Sequence, residues 1–269
     1  MTVGIIPARF ASTRFPGKLL ADLHGKPVLQ WTWERASAAK LLDRLVIAAA
    51  DRKIYDAAKA FGADVVEVFD DVPSGSDRIW RAAERMRNAE CGMRNAEYRR
   101  QKGTQSSADI VVNIQGDEPL LDPATIDAVV EKLQSDPDAG VATAAAPITD
   151  EKDYRDPSCV KVVLDVCECA LYFSRSPVPF GWTQISAFRI PHSAIVFRHI
   201  GLYAYRWNVL RDFVAWQPSP LELTEKLEQL RLLYHGVKVV CAVVPEAGMA
   251  VDTEGDLLFL RENLQSASR

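Results

Sequence analysis

The sequence predicts an α/β fold in which a mostly parallel, twisted sheet is flanked by helices. Three observations carry that prediction. Short, fully apolar runs of strand type recur through the first half of the chain, as expected of parallel strands buried on both faces. Stretches with three- and four-residue apolar spacing fall between them, the period of a helix packed on one side. The links are short and marked by Gly, Pro, Ser or Asp, so strand and helix alternate as βαβαβαβ.

Taken in order, residues 3–7 form the first strand. The opening MTVGIIPA has no charged region ahead of its apolar stretch, so it reads as a strand and not as a signal peptide. A helix over 28–39 carries Trp31 and Ala38. Residues 45–49 are a second strand, 54–61 a helix closed by Gly62, and 64–68 a third strand. Residues 70–77, with Pro73 and Gly75, form a loop, and a helix capped by Ser or Asp starts near Ser76. A buried strand at 110–114 ends in Gln115-Gly116-Asp117-Glu118-Pro119, a helix follows Pro123, and a strand lies near 141–145. One segment breaks the rhythm: MRNAE stands at 86–90 and again at 93–97, ahead of Arg99, Arg100 and Lys102. Two copies are too few for a solenoid, so 86–107 reads as a surface insertion without a catalytic part. The middle third is richer in strands, at 160–166, 170–174 and 196–205, with a Pro- and aromatic-rich loop at 177–191. One helix is expected over 218–234, a last strand over 237–244, and an acidic loop over 248–256 before a terminal helix.

Composition narrows the function. At 269 residues, 48% hydrophobic and 25% charged, the chain is a single large domain or one with a sizeable subdomain. Its net charge of −4 argues against general nucleic-acid binding, which shows a basic excess. No apolar run approaches the roughly 18 residues of a membrane span. Five cysteines without a C-x-x-C pair suggest reduced thiols and a cytoplasmic location. Cys167 and Cys169, two thiols on one strand face, read as packing because two sulfurs make a poor zinc site.

The chemistry concentrates in IIPARFASTRFPGK, residues 5–18. Arg9, Arg14 and Lys18, with Ser12, Thr13 and Gly17, follow directly on the first strand. Open α/β sheets place phosphates at that position. A Walker A loop is excluded, since Ser12 and Leu19 stand where Gly and Ser or Thr are needed, and no G-x-G-x-x-G follows the strand. The alternative is a solvated surface loop; the location at the first strand's end favours phosphate, held by side chains. Asp117 stands just past another buried strand. A hard Mg²⁺ ion is held by one or two carboxylates plus substrate phosphates, and Asp252 is the second candidate if its loop folds back. On the strand near 199, alternation places Phe197, His199, Gly201, Tyr203 and Tyr205 on one side, a face suited to a sugar. A histidine among aromatics is also a common structural residue. Glu222, Glu225 and Gln229 share a helical face, either solvated or gripping hydroxyls. No G-x-S-x-G elbow or H-E-x-x-H occurs, so covalent catalysis has no obvious agent.

Eight blocks appear in one order: IIPARFASTRFPGKLL, GKPVLQW, PSGSDR, VNIQGDEPL, VKVVLD with ALYFSR, RHIGLYAYR, WQPSPLELTEKLEQLR and VDTEGDL. Together they resemble the 3-deoxy-manno-octulosonate (Kdo) cytidylyltransferases over about residues 3–257. The resemblance implies a nucleotide-diphospho-sugar transferase type of fold with a smaller β-rich sugar-binding and dimerisation subdomain, a homodimer and dependence on Mg²⁺. It implies the reaction of CTP with Kdo to give CMP-Kdo and pyrophosphate, for lipopolysaccharide biosynthesis. It divides the chain into a mainly nucleotide-binding half, 1–147, and a sugar-binding and dimerisation region, 148–236. Ala8, Arg9, Ser12 and Lys18 match its nucleotide loop, Ser74, Gly75 and Arg78 the cytidine block, and Gln115 the position between nucleotide and sugar. Asp117 and Asp252 match its metal ligands, and Arg9 and Lys18 would neutralise the triphosphate. His199, Tyr203, Glu222 and Gln229, with Arg175, lie in the blocks facing the sugar. Two departures stand out: the MRNAE insertion has no counterpart in the family pattern, and Ser76 and Asp77 replace a usual Thr and Glu. The same chemistry on 8-amino-8-deoxy-Kdo or a sialic acid is the alternative. A nicotinamide dehydrogenase lacks its glycine fingerprint here, and a non-catalytic nucleotide binder has less need of two separated carboxylates.

Overall fold

The computed structural model describes residues 1–12, 14–93, 110–180 and 196–263. Residues 94–107 of the expected insertion and 181–191 of the expected loop lie outside the described residues. Two compact units are present, one of residues 1–126 and 248–269, the other of 127–247. The functional halves expected at 1–147 and 148–236 are a different kind of division and remain a proposal.

In the first unit, β1 (Thr2–Ala8) is the central strand, and Ile5 and Ile6 are wholly buried. A hairpin of β2 (Asp22–Leu23) and β3 (Lys26–Pro27) follows, turning through His24 and Gly25, whose φ values of 52° and 80° suit a tight hairpin. β4 (Arg44–Ala49) and β5 (Val65–Glu67) extend the sheet on one side of β1, and β6 (Ile110–Asn113) on the other. All of these pairings to β1 and β4 are parallel, with the order β6-β1-β4-β5. Strand order therefore reverses between β1 and β6, and ligands of open α/β sheets bind at the carboxyl ends of such a pair. Helices Val28–Ala36, Arg52–Ala60, Gly75–Met93 and Glu254–Asn263 belong to this unit. Asp51 caps the second of them, its Oδ1 accepting from the Ile54 amide at 3.0 Å.

The second unit contains β7 (Val141–Pro147), β8 (Lys161–Leu164), β9 (Ala170–Ser174), β10 (Phe197–Arg206) and β11 (Val239–Val243). β11 pairs with β7 in parallel, whereas β10–β7, β10–β8 and β8–β9 are antiparallel. A bulge between Ile200 and Tyr203 adds two residues to β10, an even number, so side-chain alternation is preserved across it. His199, Tyr203 and Tyr205 accordingly form one stripe, with ring centroids 5.3 and 5.8 Å apart.

The sequence-based expectation of one helix over 218–234 is corrected. The chain forms two short helices, Pro220–Glu225 and Leu230–Tyr234, separated by Lys226 in the left-handed region at φ 56°. Ser219 and Glu222 make a reciprocal capping box that starts the first helix, and the left-handed residue ends it. Glu222, Glu225 and Gln229 therefore do not share one helical face. Among the described residues, no helix is long and apolar enough to cross a membrane.

Candidate active site

The chain leaves β1 at Ala8 and makes a loop that closes on itself, the Gly17 amide donating to the Phe10 carbonyl at 3.0 Å. Gly17 has φ 74°, a conformation that favours glycine, and the 3₁₀ turn Lys18–Leu20 follows it. A second anchor is Asp51, whose Oδ2 accepts from the Phe10 amide at 2.7 Å. On the other side of the switch point, Gly116 follows β6. A side chain there would stand 3.2 Å from Ile6 and 3.3 Å from Leu29, so its glycine permits close packing under the loop. Thr32 Oγ1 donates to the Gly116 carbonyl at 3.0 Å. These contacts set Gln115 and Asp117 at the mouth of the sheet.

A cleft of about 300 Å³ opens there, lined by Ala8, Arg9, Ser12, Lys18, Ser74, Gly75, Arg78, Gln115 and Asp117 among others. Every nucleotide-site candidate of the sequence is thus gathered in one cavity. The helix Gly75–Met93 points its N-terminus into it, an end that favours anions. The cap is Ser74, two residues before the expected Ser76: its Oγ accepts from the Asp77 amide at 3.2 Å and donates to Asp77 Oδ2 at 2.7 Å. Arg78 is buried and donates to the Val68 carbonyl; burial, then the nearby Arg9 guanidinium, pulls its pKa below the usual range.

The acidic part of the site comes from two distant stretches of chain. The Val251 amide donates to the Asp117 carbonyl at 2.8 Å, which folds the 248–256 loop against the end of β6. Asp256 Oδ2 then accepts from the amides of Asp252 and Thr253 at 3.0 and 2.7 Å and fixes the loop at the start of the last helix. Lys18 Nζ lies 2.5 Å from Asp117 Oδ2 and 3.0 Å from Asp252 Oδ1, and Arg14 Nη2 lies 3.0 Å from the same Asp252 oxygen. Burial depresses the Lys18 pKa, but Asp117 and Asp252 more than offset it, so the ammonium form is favoured. The Arg14–Asp252 contact joins residues 238 positions apart and leaves no local signal in the sequence.

The remaining candidates belong to the second unit. His199 Nε2 lies 3.0 Å from Thr143 Oγ1, which is also within reach of the Ile200 and Leu202 carbonyls at 3.1 and 2.8 Å. Burial pushes the His199 pKa down to about 3, so the ring is neutral. Its stripe continues to Phe173 and Phe213, with centroids 5.0 Å from His199 and 6.0 Å from Tyr205. Burial first, then Tyr205, raises the Tyr203 phenol well above its ordinary pKa. Glu222 is committed to the buried Arg231: Nη2–Oε1 is 2.6 Å and Nε–Oε2 is 2.8 Å. Arg175 donates to the carbonyls of Glu225 at 2.8 Å, Pro157 at 3.0 Å and Lys226 at 3.3 Å. Gln229 is buried beside them in sequence, ahead of the second short helix.

A parallel sheet with a cationic loop and paired carboxylates at its switch point defines a nucleotidyltransferase. The sequence model of the cytidylyltransferase family matches residues 3–239. A 3-deoxy-manno-octulosonate cytidylyltransferase of Pseudomonas syringae pv. syringae is 44% identical, with 97% of each chain covered. That of Aliivibrio fischeri strain MJ11 is 43% identical, with 96% of each covered. Among solved structures, a CMP:2-keto-3-deoxy-manno-octonic acid synthetase complexed with CTP superposes with a TM-score of 0.82 at 33% identity, covering 99% of both chains. A 4-diphosphocytidyl-2C-methyl-D-erythritol synthase of Anaerococcus prevotii, 14% identical with a TM-score of 0.55 and 98% of both chains covered, shares the fold. The chain belongs to the 3-deoxy-manno-octulosonate cytidylyltransferase family.

Proposed function

We propose that this chain transfers the cytidylyl group of CTP to Kdo, giving CMP-Kdo and pyrophosphate for lipopolysaccharide biosynthesis, and that it works as a cytoplasmic homodimer. The observation that carries the reading is the convergence of Asp117 and Asp252 on Lys18 beside a cationic cleft at the sheet's switch point. The names of its relatives support the choice of substrates.

The anomeric hydroxyl of the sugar attacks the α-phosphorus in line with the leaving pyrophosphate. One phosphorus–oxygen bond forms, the bond to the bridging oxygen breaks, and the hydroxyl proton is released. Arg9 and Lys18 neutralise charge as it moves onto the pyrophosphate. Ala8, Ser12, Ser74, Gly75 and Arg78 seat the nucleotide, with the helix end at Gly75 adding positive potential. Gln115 orients nucleotide and sugar toward each other. His199 and Tyr203 face the sugar, with Gln229; Glu222 and Arg175 support that region, since both charged groups already have protein partners. Hard carboxylate oxygens and incoming phosphates are the donor set that suits Mg²⁺, and Asp117 and Asp252 are the residues that would hold it. When bound, it supplies charge neutralisation of the triphosphate. The protein's own contribution is positioning and fixed charge.

A pyrophosphate-release assay with CTP, Mg²⁺ and a panel of Kdo, 8-amino-8-deoxy-Kdo and a sialic acid tests the reading, with turnover expected on Kdo and no turnover on any sugar overturning it. Asp117→Ala is expected to lower kcat by about 10²–10³ or more, the scale of losing a charge-stabilising group, with an unchanged circular dichroism spectrum. An active Asp117→Ala enzyme would remove the carboxylate from the mechanism.

A further inference from the structure

Lys18 occupies the space the carboxylate pair offers to a cation. Its Nζ is 2.5 Å from Asp117 Oδ2 and 3.0 Å from Asp252 Oδ1, and its side chain is only 14% exposed. Arg14, 68% exposed, takes the outer side of Asp252. Asp117 and Asp252 are thus each matched by a cation, and Asp256 adds a third carboxylate within the field of Lys18. A divalent ion bound to the same oxygens would stand within a few ångströms of the ammonium, since Mg²⁺ approaches its ligands to about 2.0–2.1 Å. Like charges at such a distance repel strongly at a partly buried site. A metal arriving alone would therefore bring two positive charges to a carboxylate pair that already holds an ammonium and a guanidinium. A triphosphate changes that balance, because its negative charge exceeds that of one divalent ion and offers Lys18 another anion. Lys18 can follow it: its ammonium sits on a flexible four-carbon stem, and Lys18, Ser12 and Arg9 line the same cleft.

We propose that Lys18 is the resident cation of the Asp117–Asp252 pair, so that metal and nucleotide enter together. The triphosphate draws the ammonium off the carboxylates, and only then is the pair free for a divalent ion. Lys18 is then a gate on metal entry as well as a phosphate contact. The inference rests on the proposed reading of Asp117 and Asp252 as metal carboxylates. It makes the nucleotide-free protein a poor metal binder by construction.

The test is Mn²⁺ binding to the full chain without nucleotide, followed by electron paramagnetic resonance of free Mn²⁺. Lys18→Gln is expected to bind Mn²⁺ at least about tenfold more tightly than the unmodified protein, a difference of about 1.4 kcal/mol. Lys18→Arg, which keeps the charge, stays with the unmodified protein. Arg14→Gln changes affinity little, because an exposed ion pair contributes little. Adding Asp117→Asn to Lys18→Gln removes the gain. Lys18→Met serves if Lys18→Gln does not fold, with circular dichroism as the check. Equal nucleotide-free affinity in the unmodified protein and Lys18→Gln overturns the gate while leaving the metal reading intact. So does a gain that survives Asp117→Asn, or one that Arg14→Gln matches. If neither protein binds Mn²⁺ with or without a non-hydrolysable CTP analogue, the metal reading fails and the gate fails with it.

Discussion

Lys161 is wholly buried, and its ammonium group donates to the carbonyls of Asp156, Cys159 and Arg175 at 2.9, 2.7 and 2.6 Å. It ties the turn ahead of β8 to the residue that leaves β9. Lys161→Met keeps the length of the side chain but leaves three carbonyls without that donor, while relieving the desolvation of a charge. The first effect is the larger, and a net loss of about 2–3 kcal/mol is expected in urea denaturation at neutral pH. An unchanged midpoint would mean the ammonium is held with no net gain. His199 gives a pH-dependent counterpart. Its folded pKa of about 3 lies below the ordinary histidine value, so between roughly pH 6.5 and 3 the unfolded chain binds the proton more readily than the folded one. The sign follows: stability falls as pH drops through that window, by up to about 1.4 kcal/mol per pH unit for one proton. His199→Gln is expected to flatten the slope between pH 6.5 and 5 relative to the unmodified protein. Parallel slopes would show that the ring titrates freely in the fold.

At the scale of elements, Arg231 fastens the two short helices together. Its guanidinium grips Glu222 through two nitrogens, donates to the Phe213 carbonyl at 3.1 Å, and lies 4.6 Å from the Phe213 ring. Glu222→Ala removes the close, two-nitrogen carboxylate and leaves the guanidinium with Glu228 at 3.9 Å, so a loss of about 3 kcal/mol is expected, measured by guanidinium denaturation. If Glu222→Ala instead folds with full stability and loses turnover through KM for the sugar, Glu222 contacts the ligand directly. This region also marks where the sequence stops being readable. Apolar runs such as those of β1, β4 and β6 declare themselves because burial on both faces leaves a local signature. The break at Lys226 does not, since a lysine gives no hint of a left-handed conformation that tertiary contacts impose. The candidate site divides in the same way. Asp117 and the cationic loop are legible from their positions after strands, whereas the ion pairs of Lys18 join residues 99 and 234 positions apart. Glu222 was legible as an acidic residue on a helix but not as the partner of a buried arginine nine positions on.

At the scale of the whole molecule, the nucleotide candidates and both candidate metal carboxylates, Asp117 and Asp252, fall in the unit formed by residues 1–126 and 248–269. The sugar candidates Arg175, His199, Tyr203, Glu222 and Gln229 fall in 127–247. The C-terminal segment matters for this reason: after Gly248 it returns to the first unit and delivers Asp252 to Asp117 through the Val251 amide. A nucleotide that binds the first unit should then report itself there. With CTP and Mg²⁺ at about 100 times Kd, ligand linkage stabilises the folded chain by about 2.7 kcal/mol. Hydrogen exchange is expected to slow first in peptides covering 7–18, 72–78, 115–117 and 250–253. Addition of Kdo should then slow peptides covering 197–205 and 222–231. The order matters because each substrate has its own set of residues: global openings slow everywhere by linkage, whereas local openings slow further where a ligand adds contacts. Equal protection of both sets by CTP and Mg²⁺ alone would overturn the assignment of the second set to the sugar, since no sugar would yet be present to protect it.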